Sequence, residues 1–164
     1  MNYLYKIGYF GPITLLLLIL VMISTTNQSH NIFLYIYVIV WQILNHFSNI
    51  VIKNTLKQPR PDSGENKDFK MLKPTMYNYF SIHRNFGMPS GHVQHVFSEL
   101  TFITLYFRNP ILTTFSIIQS CITLWQRYSS RKHSIKQLAV GSLIGIISGV
   151  IFYRVNPFTI NYKL

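Results

Sequence analysis

Residues 86–107 read FGMPSGHVQHVFSELTFITLYF. A turn built from Gly, Pro and Ser, with two imidazoles beside it, opens directly into a run apolar enough to enter a lipid bilayer. The change predicts a helix starting at Gly91 and stopping at Phe107, before Arg108, Asn109 and Pro110. Comparable runs occur at 9–24 (YFGPITLLLLILVMIS), 32–52, 111–125 and 138–153. Only 12% of the 164 residues are charged and 49% are hydrophobic, whereas a soluble domain is about a quarter charged. The expected fold class is therefore all-α: a single membrane domain over 1–164, a polytopic bundle of about five transmembrane helices. The first run also fits a cleaved signal peptide, which would leave four helices.

Smaller features refine this picture. Gly141, Gly145 and Gly149, at spacing four, give the last span a smooth stripe that admits another helix closely. Span 111–125 is rich in Ser, Thr and Gln and is expected to touch protein on most sides. The connection 61–88 holds Asp62, Glu65 and Asp68 among several bases, then Tyr77, Tyr79 and Phe80. A loop of that length reads as a lid, anchored by its aromatics at the membrane interface. Cys121 is the single cysteine, which excludes an intramolecular disulfide.

A net charge of +11 would point to nucleic acid in a soluble chain. Here the bases flank membrane spans, so nucleic acid is excluded and the bilayer and anionic lipid headgroups become the partners. If the spans alternate in direction, twelve of the fifteen Lys and Arg residues fall on the face that also carries the N-terminus. Three clusters meet on that face: Lys53 with Arg60 before Pro61; Pro89-Ser90-Gly91-His92; and Arg127 with His133 six residues later. Lys and Arg supply charge and hydrogen bonds to phosphate oxygens. Ser90 and Gly91 open a helix whose unpaired N–H groups suit an anion. One histidine is placed to attack phosphorus and the other to protonate the leaving oxygen.

Together, K-x6-R-P, PSGH and R-x5-H before a span resemble the type 2 phosphatidic acid phosphatase superfamily. That resemblance implies a metal-independent, cofactor-free membrane enzyme that removes phosphate from lipids. It assigns His133 as the nucleophile forming a phosphohistidine and His92 as the acid. Lys53, Arg60, Ser90, Gly91 and Arg127 would cradle the phosphate. Two positions depart from the family pattern. Gln126 stands where Ser is usual, and Gln137 where an Asp four residues after the histidine would orient its ring. Gln137 is accordingly expected to accept from the His133 ring. The phrases FGMPSGHVQ, LYFRNP and HSIKQLAVG resemble the dolichyldiphosphatase-like branch, implying a pyrophosphorylated lipid, or a related phosphorylated one, as substrate. The resemblance implies a lumenal active site in the endoplasmic reticulum or another endomembrane if the chain is eukaryotic or viral; the basic-residue count favours the cytoplasmic face. No oligomeric state is read from it.

Other readings compete. The two glutamines suit an inactive member that binds phosphorylated lipid or acts as a scaffold. His92, His95 and Glu99 share a helix face and form half of a possible metal or haem site. Gln42, Asn45, His46 and Asn49 are read as interhelical hydrogen bonders on the face leading to Lys53. Arg131, Lys132 and Lys136 match no motif and read as headgroup contacts.

Overall fold

The computed structural model describes residues 3–25, 31–61 and 86–157. Six helices account for most of them: α1 (Tyr3–Tyr9), α2 (Gly11–Thr25), α3 (Asn31–Leu56), α4 (Gly91–Phe107), α5 (Pro110–Ser129) and α6 (Ile135–Val155). The fold is all-α, as expected, with a helix at each of the five predicted runs. The predicted lid and its aromatics fall, apart from its two ends, outside the described residues.

Local chemistry sets the boundaries. Asn109 caps α5 by accepting from the N–H of Ile111 at 2.9 Å and of Leu112 at 3.2 Å, with Pro110 in the first turn. Ser134 and Gln137 form a reciprocal capping box at the start of α6. The predicted first run is broken at Phe10, where α1 and α2 meet at 64°. Pro12 has no N–H to give the Gly8 carbonyl, so the helical ladder cannot run through.

Packing is densest between α4 and α6. A methyl at position 141 would lie 2.9 Å from the Ser90 carbonyl oxygen, and one at 149 would lie 2.6 Å from that of Ser98. At 145 it would strike the Gln94 carbonyl. The glycine stripe therefore lets α6 lie directly on the α4 backbone. Helix α1 lies on α5, with Gly8 against the Gln126 side chain and Gln119 Nε2 donating to the Ile7 carbonyl at 2.9 Å.

The apolar core joins Leu15, Ile19 and Ile23 of α2, Leu34 and Val38 of α3, Phe102 and Ile103 of α4, and Phe152 of α6. Phe152 stacks on Trp41, and the Phe102 ring lies tilted against it at 34°. Outward, the bundle is apolar as well: Ile36, Ile39, Ile43, Leu44 and Phe47 of α3 are all exposed. An outer surface of this kind is made for lipid. Helices α3 and α6 are long and apolar enough to cross a membrane, and the α1–α2 pair makes a third if taken as one span. Helices α4 and α5, two of the five expected spans, do not pass that test of length and apolarity on their own.

Candidate active site

Lys53 occupies the last turn of α3 and is buried. Beyond that helix, Lys57 takes a left-handed conformation (φ 48°), which turns the chain into Gln58-Pro59-Arg60. Pro59 pairs with Phe86 in an isolated antiparallel bridge, and the Gly87 N–H donates to the Gln58 carbonyl at 2.7 Å. Both ends of the long connection are thus tied together at the entrance to α4. On the far side, Arg127 lies in the last turn of α5. The chain reverses at Ser130 and Arg131 (φ 53°), returning His133 beneath Gly87.

A cavity of about 370 Å³ opens where these segments meet. Lys53, Arg60, Gly91, His92, Arg127 and His133 line it together. These belong to the three sequence clusters, which come together because α3 ends, α4 begins, α5 ends and α6 begins at one end of the bundle. No described carboxylate lines the cavity. Cations gathered in a cavity wall, with Lys53 and Arg127 buried, suit an anion, since charge away from water needs a partner. Ser90 is buried just behind the wall. It precedes α4 without capping it, and its Oγ has no partner among the described residues.

The His133 ring is 2% exposed, with Nδ1 2.8 Å from the Gly87 carbonyl oxygen. A carbonyl only accepts, so Nδ1 carries the hydrogen and Nε2 keeps its lone pair. Nε2 lies 3.5 Å from Nη2 of Arg127. Burial, then the Arg127 and Arg60 charges, hold the imidazole down to about 3 against the Gly87 hydrogen bond. The ring is neutral at ordinary pH, and its unprotonated nitrogen sits among cations.

Gln137 needs a correction. The sequence reading has it accept from the His133 ring, but the structure gives that position to the Gly87 carbonyl. The Gln137 amide points the other way: Nε2 donates to Gln58 Oε1 at 3.1 Å and to the Pro59 carbonyl at 2.9 Å, while Oε1 accepts from the Ser134 N–H at 3.2 Å. It also packs flat beneath Gly87, where any Cβ would collide with it. Its first-turn position on α6 commits it to the capping box, which turns it away from the ring. The supporting carbonyl escaped the sequence reading because a backbone group leaves no residue-type signal.

The polar face of α3 does two jobs. Asn49 lines the cavity and donates to Gln94 Oε1 at 2.8 Å; Asn45 Oδ1 accepts from Gln94 Nε2 at 2.8 Å and from Ser148 Oγ at 3.1 Å. The competing reading of His92, His95 and Glu99 as half of a metal site gains no support from the described residues. Gln42 stands between His95 and Glu99, bonding each, and no three His, Cys, Asp or Glu side chains converge among the described residues. Arg131, Lys132 and Lys136 lie outside the cavity lining. Tyr9, Phe10, Pro12 and Ile13 at the α1–α2 elbow form an apolar wall, with the Tyr9 ring centroid 5.4 Å from that of His92. That wall depends on the elbow, which the sequence reading merged into one straight span.

Comparison with known proteins identifies the family. The model of the PAP2 superfamily matches residues 14–160, which contain all three clusters. Dolichyldiphosphatase 1 of Dictyostelium discoideum is 28% identical over 124 residues, covering 69% of this chain and 48% of that protein. Dolichyldiphosphatase of Saccharomyces cerevisiae is 25% identical over 122 residues, covering 68% and 47%. The chain thus spans about half the length of these curated relatives. No solved structure matches it. With its family match running through every cavity-lining cluster, this chain belongs to the PAP2 superfamily.

Proposed function

We propose that the chain is an integral membrane lipid phosphatase acting on a polyprenyl, dolichyl-type diphosphate or a related phospholipid. The observation that carries this reading is the His133 lone pair. Nε2 stands beside Arg127 in a cavity with three cations and no described carboxylate. The terminal phosphate would sit among Lys53, Arg60, Arg127 and the first N–H groups of α4. Nε2 attacks phosphorus, and the bond from phosphorus to the bridging oxygen breaks. His92 gives its proton to that oxygen, and the lipid leaves as its monophosphate. Water then attacks the phosphohistidine while His92 takes up a proton, and the P–N bond breaks to release phosphate.

Lys53, Arg60 and Arg127 supply the charge neutralisation that a metal provides in other phosphatases, so turnover should withstand chelation. The elbow wall at Tyr9, Phe10, Pro12 and Ile13 suits the first carbons of the lipid chain. Phosphate release from polyprenyl diphosphate and from phosphatidate, in excess chelator, tests the reading. Wild-type protein should release phosphate, and His133→Ala should lower the rate by at least about a thousandfold, the scale of losing a nucleophile. No release from either lipid by folded wild-type protein would instead favour a lipid-binding member without turnover.

A further inference from the structure

His95 lies one helical turn below His92 on α4 and lines the same cavity, yet the proposed reaction gives it no task. Its orientation is fixed from behind. Gln42 Nε2 donates to Glu99 Oε1 at 3.0 Å, which turns Gln42 Oε1 toward the ring, 2.8 Å from His95 Nδ1. The amide oxygen only accepts, so Nδ1 carries the hydrogen and the Nε2 lone pair remains. Asn45 Nδ2 flanks the same Nδ1 at 3.4 Å. Glu99 is 2% exposed, and its second oxygen has no partner among the described residues. Gln42 thus links this buried acid to the cavity.

Apart from Glu99, one turn below and reached through Gln42, the titratable groups described near the ring are basic. His92 lies one turn above on α4, His46 faces it from α3 at 5.9 Å between ring centroids, and Lys53 lies two turns above His46. Lys53 and His46 are seven residues apart, about 10 Å along the helix axis at ~1.5 Å per residue. A single phosphate held at the cationic end leaves the His46–His95 side of the cavity without an anion. A diphosphate would place its second phosphate there, and a monoester has no anionic group to put there.

We infer that His95, aimed by Gln42 and Glu99, binds the phosphate that stays on the lipid and so selects diphosphates over phosphate monoesters. This rests on the phosphatase reading above. As the diphosphate enters, the terminal phosphate loses its last acidic proton among the cations, and His95 Nε2 takes up that proton by way of solvent. The new N–H then donates to an oxygen of the phosphate that stays on the lipid, and no other bond changes.

The test uses the full chain in detergent and two probes that need no turnover: inorganic phosphate and methylenediphosphonate, whose P–C–P bridge resists hydrolysis. Calorimetry on wild-type protein should show methylenediphosphonate binding about tenfold more tightly than phosphate. In His95→Phe the ratio should fall to near one, with phosphate affinity kept within about twofold. In parallel, ¹⁵N-histidine spectra of the wild-type protein should show one further ring nitrogen gaining a proton with methylenediphosphonate and not with phosphate. Equal affinities in the wild type, an undiminished ratio in the variant, or unchanged ring nitrogens would each overturn the inference. Failure to hydrolyse any lipid while the binding ratio holds would instead remove the phosphatase reading and leave the diphosphate subsite standing.

Discussion

His133 is held on one side by a backbone carbonyl and flanked on the other by a guanidinium, and its charge state follows from that position. The ring is depressed to about 3, while an unfolded histidine titrates near 6.5. Below about 6.5 the unfolded chain takes up a proton that the native ring refuses. The contribution of His133 to stability is therefore fully present above that pH. It is lost as pH falls toward 3, by about 1.4 kcal/mol per unit once the unfolded ring is protonated. Thermal unfolding of the wild type should accordingly fall more steeply between pH 6.5 and 4.5 than that of His133→Gln; parallel slopes would remove this account of the ring. At this scale the side chains that line the cavity were readable as one group. Lys53, Arg60, His92, Arg127 and His133 announce themselves by residue type and spacing. The Gly87 carbonyl does not, and its absence from the reading is what misdirected Gln137.

Between elements, Gln137 acts as a brace. It joins the first turn of α6 to Gln58 and Pro59, just before the arginine loop, and underlies Gly87, which holds the histidine. The isosteric change Gln137→Glu separates this role from ring orientation. It removes both N–H donors and sets a carboxylate against the Pro59 carbonyl and the Gln58 amide oxygen. The brace predicts at least a tenfold fall in phosphate release, about 1.4 kcal/mol. A direct role on the ring predicts activity kept or raised, because a carboxylate would stabilise the imidazolium. All five expected helices were legible from apolar runs with polar or proline-marked ends, and the glycine stripe pointed correctly to a close helix contact. The α1–α2 elbow was not, although Pro12 carried the signal. An uninterrupted apolar run masks a break made by one missing N–H.

Across the described residues, α3 presents an apolar outer face while the cations of the three clusters gather at one end of the bundle. That division explains how a chain of 164 residues with four acidic side chains can hold buried Lys53 and Arg127. Among the described residues no carboxylate lines the site, and its cations suit an anion. The alternation of helices brought the three clusters together in the sequence reading, and the same alternation assembles the cavity. In the proposed reaction His133 Nε2 becomes bonded to phosphorus during turnover. The most direct test of that step is an alkaline quench of the protein turning over polyprenyl diphosphate labelled in the terminal phosphate, followed by peptide mapping. Base-stable, acid-labile label on the peptide containing residue 133, absent in His133→Ala, is the predicted result. Phosphate release without label on that peptide, under conditions that trap the intermediate, would contradict it.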